Sequence, residues 1–254
     1  MKKHIMALLL GIVMLFHSVG AGAEGVFHLK FFGQHTISLM YHKLSKNPED
    51  HSAYCISPEA FEEDIRYLKE HGYSFCTASE AIRTDTQRKR VFITFDDGYE
   101  SDYLYALPIL EKYNAKATFF VIGSNIGIHD HITIEHLYML AQSPLVEIGS
   151  HSYDLHNHNV DTIKDFFYND NIEMLVDDFQ KNATFLGNIT KKPVATLSYP
   201  NGIWTDETDD ALRKAGFTAT FTSDEKNITG KNTPCGRFNR SLDRTAQYIV
   251  EREK

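Results

Sequence analysis

The chain predicts an α/β fold with a parallel sheet of the barrel kind, on three observations. Short apolar runs alternate with helical patterns along most of its length, as parallel strands joined by right-handed crossovers require. Six or seven such units fall within the length of one domain, which suits a barrel better than an open sheet, although periodicity alone does not close it. Singular polar residues recur where strands end: His42, Asp96 and Asp97, His151, and Pro200–Gly202. In a β/α barrel those ends form the face on which sites are built.

Thr36–Tyr41 (TISLMY) reads as a strand with His42 directly at its end. Lys43–Ala53 is polar and contains Pro48, so a loop is expected. Ser57-Pro58-Glu59 opens a helix: Ser57 caps it, Pro58 takes the first helical position, and acids occupy the first turn. Phe61, Ile65 and Leu68 keep helical spacing until Gly72 ends the run. Thr77–Ile82 predicts a short second helix, followed by a basic loop to Arg90. Val91–Phe95 is apolar and β-branched, a buried-strand pattern. It runs into Asp96, Asp97 and Gly98, the last able to turn the backbone sharply. Asp102–Tyr113 predicts a helix with Tyr103, Leu107, Leu110 and Tyr113 on one face. Ala117–Ile122 is a strand, Thr133–Ala141 a helix, and Val146–Gly149 a short strand leading to His151. Asp161–Leu186 reads as one long helical pattern. Ala195–Tyr199 is a strand that ends at Pro200-Asn201-Gly202. Asp206–Lys214 is a helix closed by Gly216, Phe217–Thr222 a strand, and Leu242–Val250 a terminal helix.

With 254 residues, 42% of them hydrophobic and 24% charged, the chain can bury a substantial core. Its first residues read as an address. Lys2 and Lys3 precede an apolar run, Ile5–Phe16, and Ala21-Gly22-Ala23 has the small-residue pattern of a cleavage site. A signal peptide of residues 1–23 is expected, ahead of a single domain over 24–254. The apolar run is shorter than the roughly 18 residues of a membrane span. A secreted or cell-surface protein follows, with an uncleaved N-terminal anchor as the alternative. The formal charge of −8 becomes about −10 once Lys2 and Lys3 are removed, which does not suit a nucleic-acid partner. Cys55, Cys76 and Cys235 contain no C-x-x-C pair, so no cysteine zinc site is expected. Export would permit a Cys55–Cys76 disulfide flanking the first helix. Asn182, Asn188 and Asn227 stand in glycosylation sequons, short patterns that are frequent by chance.

Two clusters could carry chemistry. Asp96-Asp97 at a strand end fits either a pair of acids at a pocket mouth or a plain Asp–Gly turn. Gly149–His158 (GSHSYDLHNH) places three His within eight positions. His151 and His156 are five apart, so they share a metal only if the chain turns between them; otherwise the stretch is a His-rich surface loop. Taken with a strand-end Asp, two His give a three-ligand site with an open position, suited to zinc or a similar divalent ion. His158 is not needed for such a site and is expected to be exposed.

TFDDGY (Thr94–Tyr99), KATFFV (Lys116–Val121), HSYDLH (His151–His156) and YPNG (Tyr199–Gly202), in that order, resemble the polysaccharide deacetylase family. This is the NodB-homology, or carbohydrate esterase 4, group. The resemblance spans about 37–222. It implies a distorted (β/α)7 barrel and removal of acetyl groups from amino-sugar polymers such as poly-N-acetylglucosamine, peptidoglycan or chitin. It implies that Asp97, His151 and His156 hold a divalent metal: zinc by default, with nickel, cobalt or manganese open. It implies that Asp96 is the general base and that the Tyr199 N–H, beside Pro200, helps bind the oxyanion. Tyr99, Pro200, Asn201, Gly202 and Trp204 would then contact substrate. Tyr99, Tyr153 and Trp204 stand next to motifs, where they could stack on sugar rings or simply pack at the rim.

Several family features are missing. The position two before Pro200, often Arg in the family, is Ser198. The only Trp is Trp204, and Ser223-Asp224-Glu225 is at best a partial counterpart of the family's Asp-Trp. No His follows His158, so the C-terminal Leu-x-His acid of many members cannot exist here. His42 can replace it, because the branch acting on poly-N-acetylglucosamine resembles this chain in having Tyr-His at an early strand end. A structural role for His42 is the alternative. Arg237 or Arg240 could supply the missing Arg. The expected function is a secreted, metal-dependent polysaccharide N-deacetylase. A non-catalytic glycan-binding protein and an O-acetyl sugar esterase stand as alternatives.

Overall fold

The computed structural model describes residues 36–83, 89–168, 171–225 and 233–252. The leader at 1–23, residues 84–88 of the loop that leads to Arg90, and the Asn227 sequon lie outside them. In chain order, β1 (Thr36–Tyr41) is followed by β2 (Lys43–Leu44), at the start of the expected loop, and β3 (Cys55–Ile56), just past its end, which pair with each other. Helix α1 (Pro58–Glu70) starts where its cap is written, with Ser57 Oγ accepting the Ala60 N–H at 3.0 Å. Next come β4 (Ser74–Cys76), α2 (Ala78–Arg83) and β5 (Arg90–Asp97). The helix expected over 102–113 is a π-helical turn, Asp102–Ala106, running into α3 (Leu107–Tyr113). Pro108 explains the change, since it has no N–H and its ring crowds the carbonyl four residues back. β6 (Ala117–Val121), α4 (Ile134–Gln142) and β7 (Val146–Ser150) follow. The long helix expected over 161–186 is instead two, α5 (Val160–Tyr168) and α6 (Ile172–Thr190). The intervening Asn-Asp-Asn sequence is made of residues that compete with helical hydrogen bonding. The chain ends with β8 (Thr196–Ser198), α7 (Asp206–Lys214), β9 (Ala219–Phe221), β10 (Phe238–Asn239) and α8 (Ala246–Arg252).

The main sheet is parallel throughout, in the order β10-β1-β5-β6-β7-β8-β9. β1 fills one edge of β5 along its length, so β4 and then β6 share the other edge in succession. Closure comes from the segment before β10. Cys235 donates to Thr220 O at 2.8 Å and accepts from the Thr222 N–H at 2.9 Å. Three residues later Phe238 and Asn239 pair with Leu39 and Met40 of β1. The segment thus bridges the two ends of the curled sheet and completes a distorted seven-stave β/α barrel.

Strand alternation sorts the side chains. On β5, Val91, Ile93 and Phe95 pack outward with Phe61, Leu110 and Leu137 of the helical layer. Phe92, two residues before Thr94 and four before Asp96, packs inward with Phe120, Phe221 and Cys235. Gly149 of β7 leaves room for that interior, since a Cβ there would lie 2.4 Å from Phe120. Cys55, Cys76 and Cys235 are all buried free thiols, so the Cys55–Cys76 disulfide is not formed. Asn182 is fully buried on α6, which removes it as a glycosylation site in the folded chain. No helix among the described residues is long and apolar enough to cross a membrane.

Candidate active site

Asp96 ends the inward column of β5 and is 3% exposed. Arg237 grips it in a two-pronged pair, Nη1 to Oδ1 at 2.6 Å and Nη2 to Oδ2 at 2.7 Å. The same guanidinium donates to Thr94 Oγ1, to Ser198 Oγ and to Thr222 O, so its geometry is fixed from all sides. Burial pushes the Asp96 carboxyl up, but Arg237 and the neighbouring His pull it further down, well below the usual carboxylate range. Arg240, the other candidate, pairs with Asp64 at 2.6 Å and not with Asp96.

Asp97 follows with φ at +78°, and Gly98 repeats the same value. Two successive left-handed residues swing the second carboxylate out over the mouth; Asp tolerates this region better than most side chains. His151 Nε2 lies 3.5 Å, and His156 Nε2 3.7 Å, from Asp97 Oδ1. The turn that their spacing demands is made by Ser152 at φ +73° and by a 3-10 turn over Leu155–Asn157. His151 Nδ1 lies 2.9 Å from Ser198 O. As a neutral ring it donates there, which leaves the Nε2 lone pair facing Asp97. Burial brings the His151 pKa down to about 3 and also lowers that of His156, so both rings are neutral and ready to ligate. One ligand atom from each of Asp97, His151 and His156 lies within 4.8 Å of the others. Asp97 Oδ1 is buried without a hydrogen-bond partner, an orphan acceptor that a cation would satisfy. The donor set and the orphan oxygen fit a divalent metal.

His42, at the end of β1, lines the same cleft, which measures about 540 Å³. The Tyr54 ring stands edge-on to it at 4.9 Å, and its Nδ1 is buried without a partner. Burial lowers the His42 pKa, while Asp96 and Asp97 oppose that shift.

The sequence pattern of the polysaccharide deacetylase family matches residues 83–220. The chain belongs to the polysaccharide deacetylase family. It is accordingly a hydrolase of non-peptide carbon–nitrogen bonds, a polysaccharide N-deacetylase. It is 28% identical over 234 residues to a poly-β-1,6-N-acetyl-D-glucosamine N-deacetylase of Staphylococcus aureus strain MSSA476, covering 84% of this chain and 80% of that one. The solved structure of IcaB from Ammonifex degensii matches at 27% identity and a TM-score of 0.75, over 87% of this chain and 98% of that chain. The Streptococcus pyogenes deacetylase PplD, solved with acetate, shares the fold at 20% identity and a TM-score of 0.71, over 86% and 98% of the two chains.

Within this polysaccharide deacetylase, the expectations for Tyr199 and Trp204 fail on geometry. The Tyr199 N–H donates to Phe221 O at 2.9 Å as part of the β8–β9 pairing, so it has no hydrogen left for an oxyanion. Its hydroxyl is likewise taken, by Asp209 at 2.7 Å. The turn Pro200–Gly202 instead presents Asn201, at φ +53°, to the cleft. Gly202 is required there, since its φ is +70° and a Cβ would fall 2.0 Å from Ser223 Oγ. Pro200 is buried behind the turn. Tyr99 lines the cleft, stacked on His131 at 5.0 Å. Trp204 packs against the cluster of Leu155, Phe167, Phe179 and Leu212 instead of the cleft, and Tyr153 packs edge-on to Phe185. His158 is exposed, as expected.

Sequence reasoning missed Tyr54, the Glu225–Arg244 ion pair on the cleft wall, and Asp102, which is fully buried with both carboxylate oxygens unpartnered. None of these stands in a motif. Of these, Glu225 alone left a trace, in the Ser223-Asp224-Glu225 stretch.

Proposed function

We propose that the protein is an exported, metal-dependent deacetylase acting on N-acetylglucosamine units, with poly-β-1,6-N-acetylglucosamine as the first substrate to test and peptidoglycan as the second. The observation that carries the reading is the Asp97–His151–His156 cluster standing beside an Asp96 that Arg237 holds ionised. The polymer is supported by the printed activity of the Staphylococcus relative and by the likeness to IcaB. Export is supported by the leader pattern of residues 1–23.

A divalent ion at this cluster, zinc first and nickel, cobalt or manganese otherwise, supplies a Lewis acid for the acetyl carbonyl and for the attacking water. Asp96 accepts the proton from that water. Arg237 holds it ionised and fixes where it points. His42 hands a proton to the leaving amine, which is a poor leaving group until protonated. A lowered pKa makes His42 the stronger donor when protonated and leaves a smaller share of the rings protonated near neutral pH.

Acetate release from a β-1,6-linked N-acetylglucosamine oligomer, with and without a chelator, tests the reading. Release that stops on chelation and returns with metal is expected. Binding of the oligomer without release would favour a glycan-binding protein instead. A strong preference for O-acetyl esters over acetamides would move the activity to an esterase.

A further inference from the structure

The two imidazoles of the metal cluster are held in different ways. His151 is tied into the sheet: its N–H donates to Val121 O at 3.0 Å and its ring is fixed by Ser198 O. His156 sits on a turn outside the sheet. Outside the cluster its ring hydrogen-bonds only its own backbone carbonyl among the described residues, so the ring moves with its turn. Its backbone N–H reaches only Ser152 Oγ, at 3.1 Å. Its position therefore depends on whatever fixes the turn Ser152–Leu155.

That turn is clamped from α6. Asp178 Oδ1 accepts the Tyr153 N–H at 2.7 Å, and Oδ2 accepts the Asp154 N–H at 3.0 Å. Two adjacent N–H groups converge on two oxygens, a task for an ionised carboxylate. An amide offers one acceptor and sets an NH₂ donor against the second N–H. One helical turn on, Asn182 donates to Val121 O at 2.8 Å and to Ser150 Oγ at 2.9 Å. The same face of α6 thus holds the strand end that carries His151 and the turn that carries His156.

We propose that Asp178 is a positioning residue for metal binding, acting through His156; this rests on the reading of Asp97, His151 and His156 as ligands. Zn²⁺ affinity is measured by competition with a chromophoric chelator on wild type, Asp178→Ala, Asp178→Asn, His156→Ala and the Asp178→Ala/His156→Ala double variant. Thermal unfolding of each metal-free protein is followed alongside. Asp178→Ala should weaken Zn²⁺ at least tenfold, as loss of an orienting partner does. Asp178→Asn should fall between it and wild type, and it carries the test if the alanine variant does not fold. In the His156→Ala background the Asp178 substitution should change affinity less than twofold, because the residue through which it acts is gone. The visible spectrum of Co²⁺-loaded Asp178→Ala should also shift from wild type. Wild-type affinity in Asp178→Ala, or an equal loss with and without His156, overturns the proposal and leaves Asp178 a purely structural clamp. If wild type and His156→Ala bind Zn²⁺ alike, the ligand reading itself fails, and this proposal with it.

Discussion

The two sides of the cleft are built in opposite ways. On one side, Asp96, Asp97 and His151 stand at the ends of β5 and β7, parallel strands with only β6 between them, each within a short motif that can be read in a single stretch of chain. On the other, the closing segment Cys235–Arg240 reaches across 141 positions to put Arg237 on Asp96. The first side carries the groups that would react. The second carries the charge that keeps one of them ionised, and the backbone that shuts the barrel. Chemistry that must be exact in its local geometry is compact in sequence, whereas electrostatic support arrives through topology.

The largest expected effect comes from breaking the second side at its centre. Arg237→Leu leaves the Asp96 carboxylate buried and unpaired, a loss of about 3–5 kcal/mol for a severed buried ion pair. Both unfolding stability and acetate release should collapse. Arg240→Leu is the control from the same segment. It severs the buried Arg240–Asp64 pair, which also involves Tyr41 and holds the Ala246 N–H at the start of α8. Stability should fall by a similar amount, but the folded fraction should keep its activity. Urea unfolding and acetate release on both variants check this. Equal activity losses would mean that the closing segment acts on the site only by holding the barrel shut.

His42 lies between the two sides, since β1 pairs with β5 on one edge and with β10 on the other. His42→Ala should lower turnover by roughly 10²–10⁴-fold, the span of a lost general acid, with metal content unchanged. Acetate release alongside metal analysis decides it. Near-normal turnover would return His42 to a structural role, packed edge-on against Tyr54.

The same contrast explains what the sequence could and could not say. The α/β class, most strands, the α1 cap and the Asp-Asp and His-x₄-His constellations rest on local pattern, and the structure brings those four side chains into one cleft. The closing strand was invisible because Phe238–Asn239 is two residues long and shows no alternation. Only its pairing with β1 makes it a stave. For the same reason the choice between Arg237 and Arg240 stayed open: which guanidinium faces inward depends on how the segment crosses the barrel. Tyr199 misled because its motif position says nothing of whether a sheet partner has already taken its N–H. Trp204 misled because an aromatic beside a motif can face the helical layer as readily as the cleft. Asp178 gave no signal at all, being one acid among several on a helix.

The smallest effect concerns two thiols, one from each side. Cys76 on β4 pairs next to Phe92 of β5, and Cys235 sits in the closing segment, yet both pack in the same interior cluster. Burial pushes the Cys76 thiol up to about 11 and Cys235 up to about 12. A free thiol titrates near 8.5, so below that pH both states hold the proton and the full stability is present. As pH rises beyond it, the unfolded chain gives up protons that the folded chain keeps, and stability falls through the window up to those values. The urea midpoint should therefore drop between pH 7.5 and 9.5, and drop less in a Cys76→Ala/Cys235→Ala variant. The comparison sharpens when the thiols are labelled singly at pH 8 in a Cys55→Ala background. Each reacts only when its region opens, and an end segment held by a two-residue strand should open before the strand beside β5. Faster labelling of Cys235 than of Cys76 is expected. Equal rates would mean that the closing segment and the motif-bearing strands open as one cooperative unit, and the two sides would then differ in sequence origin but not in stability.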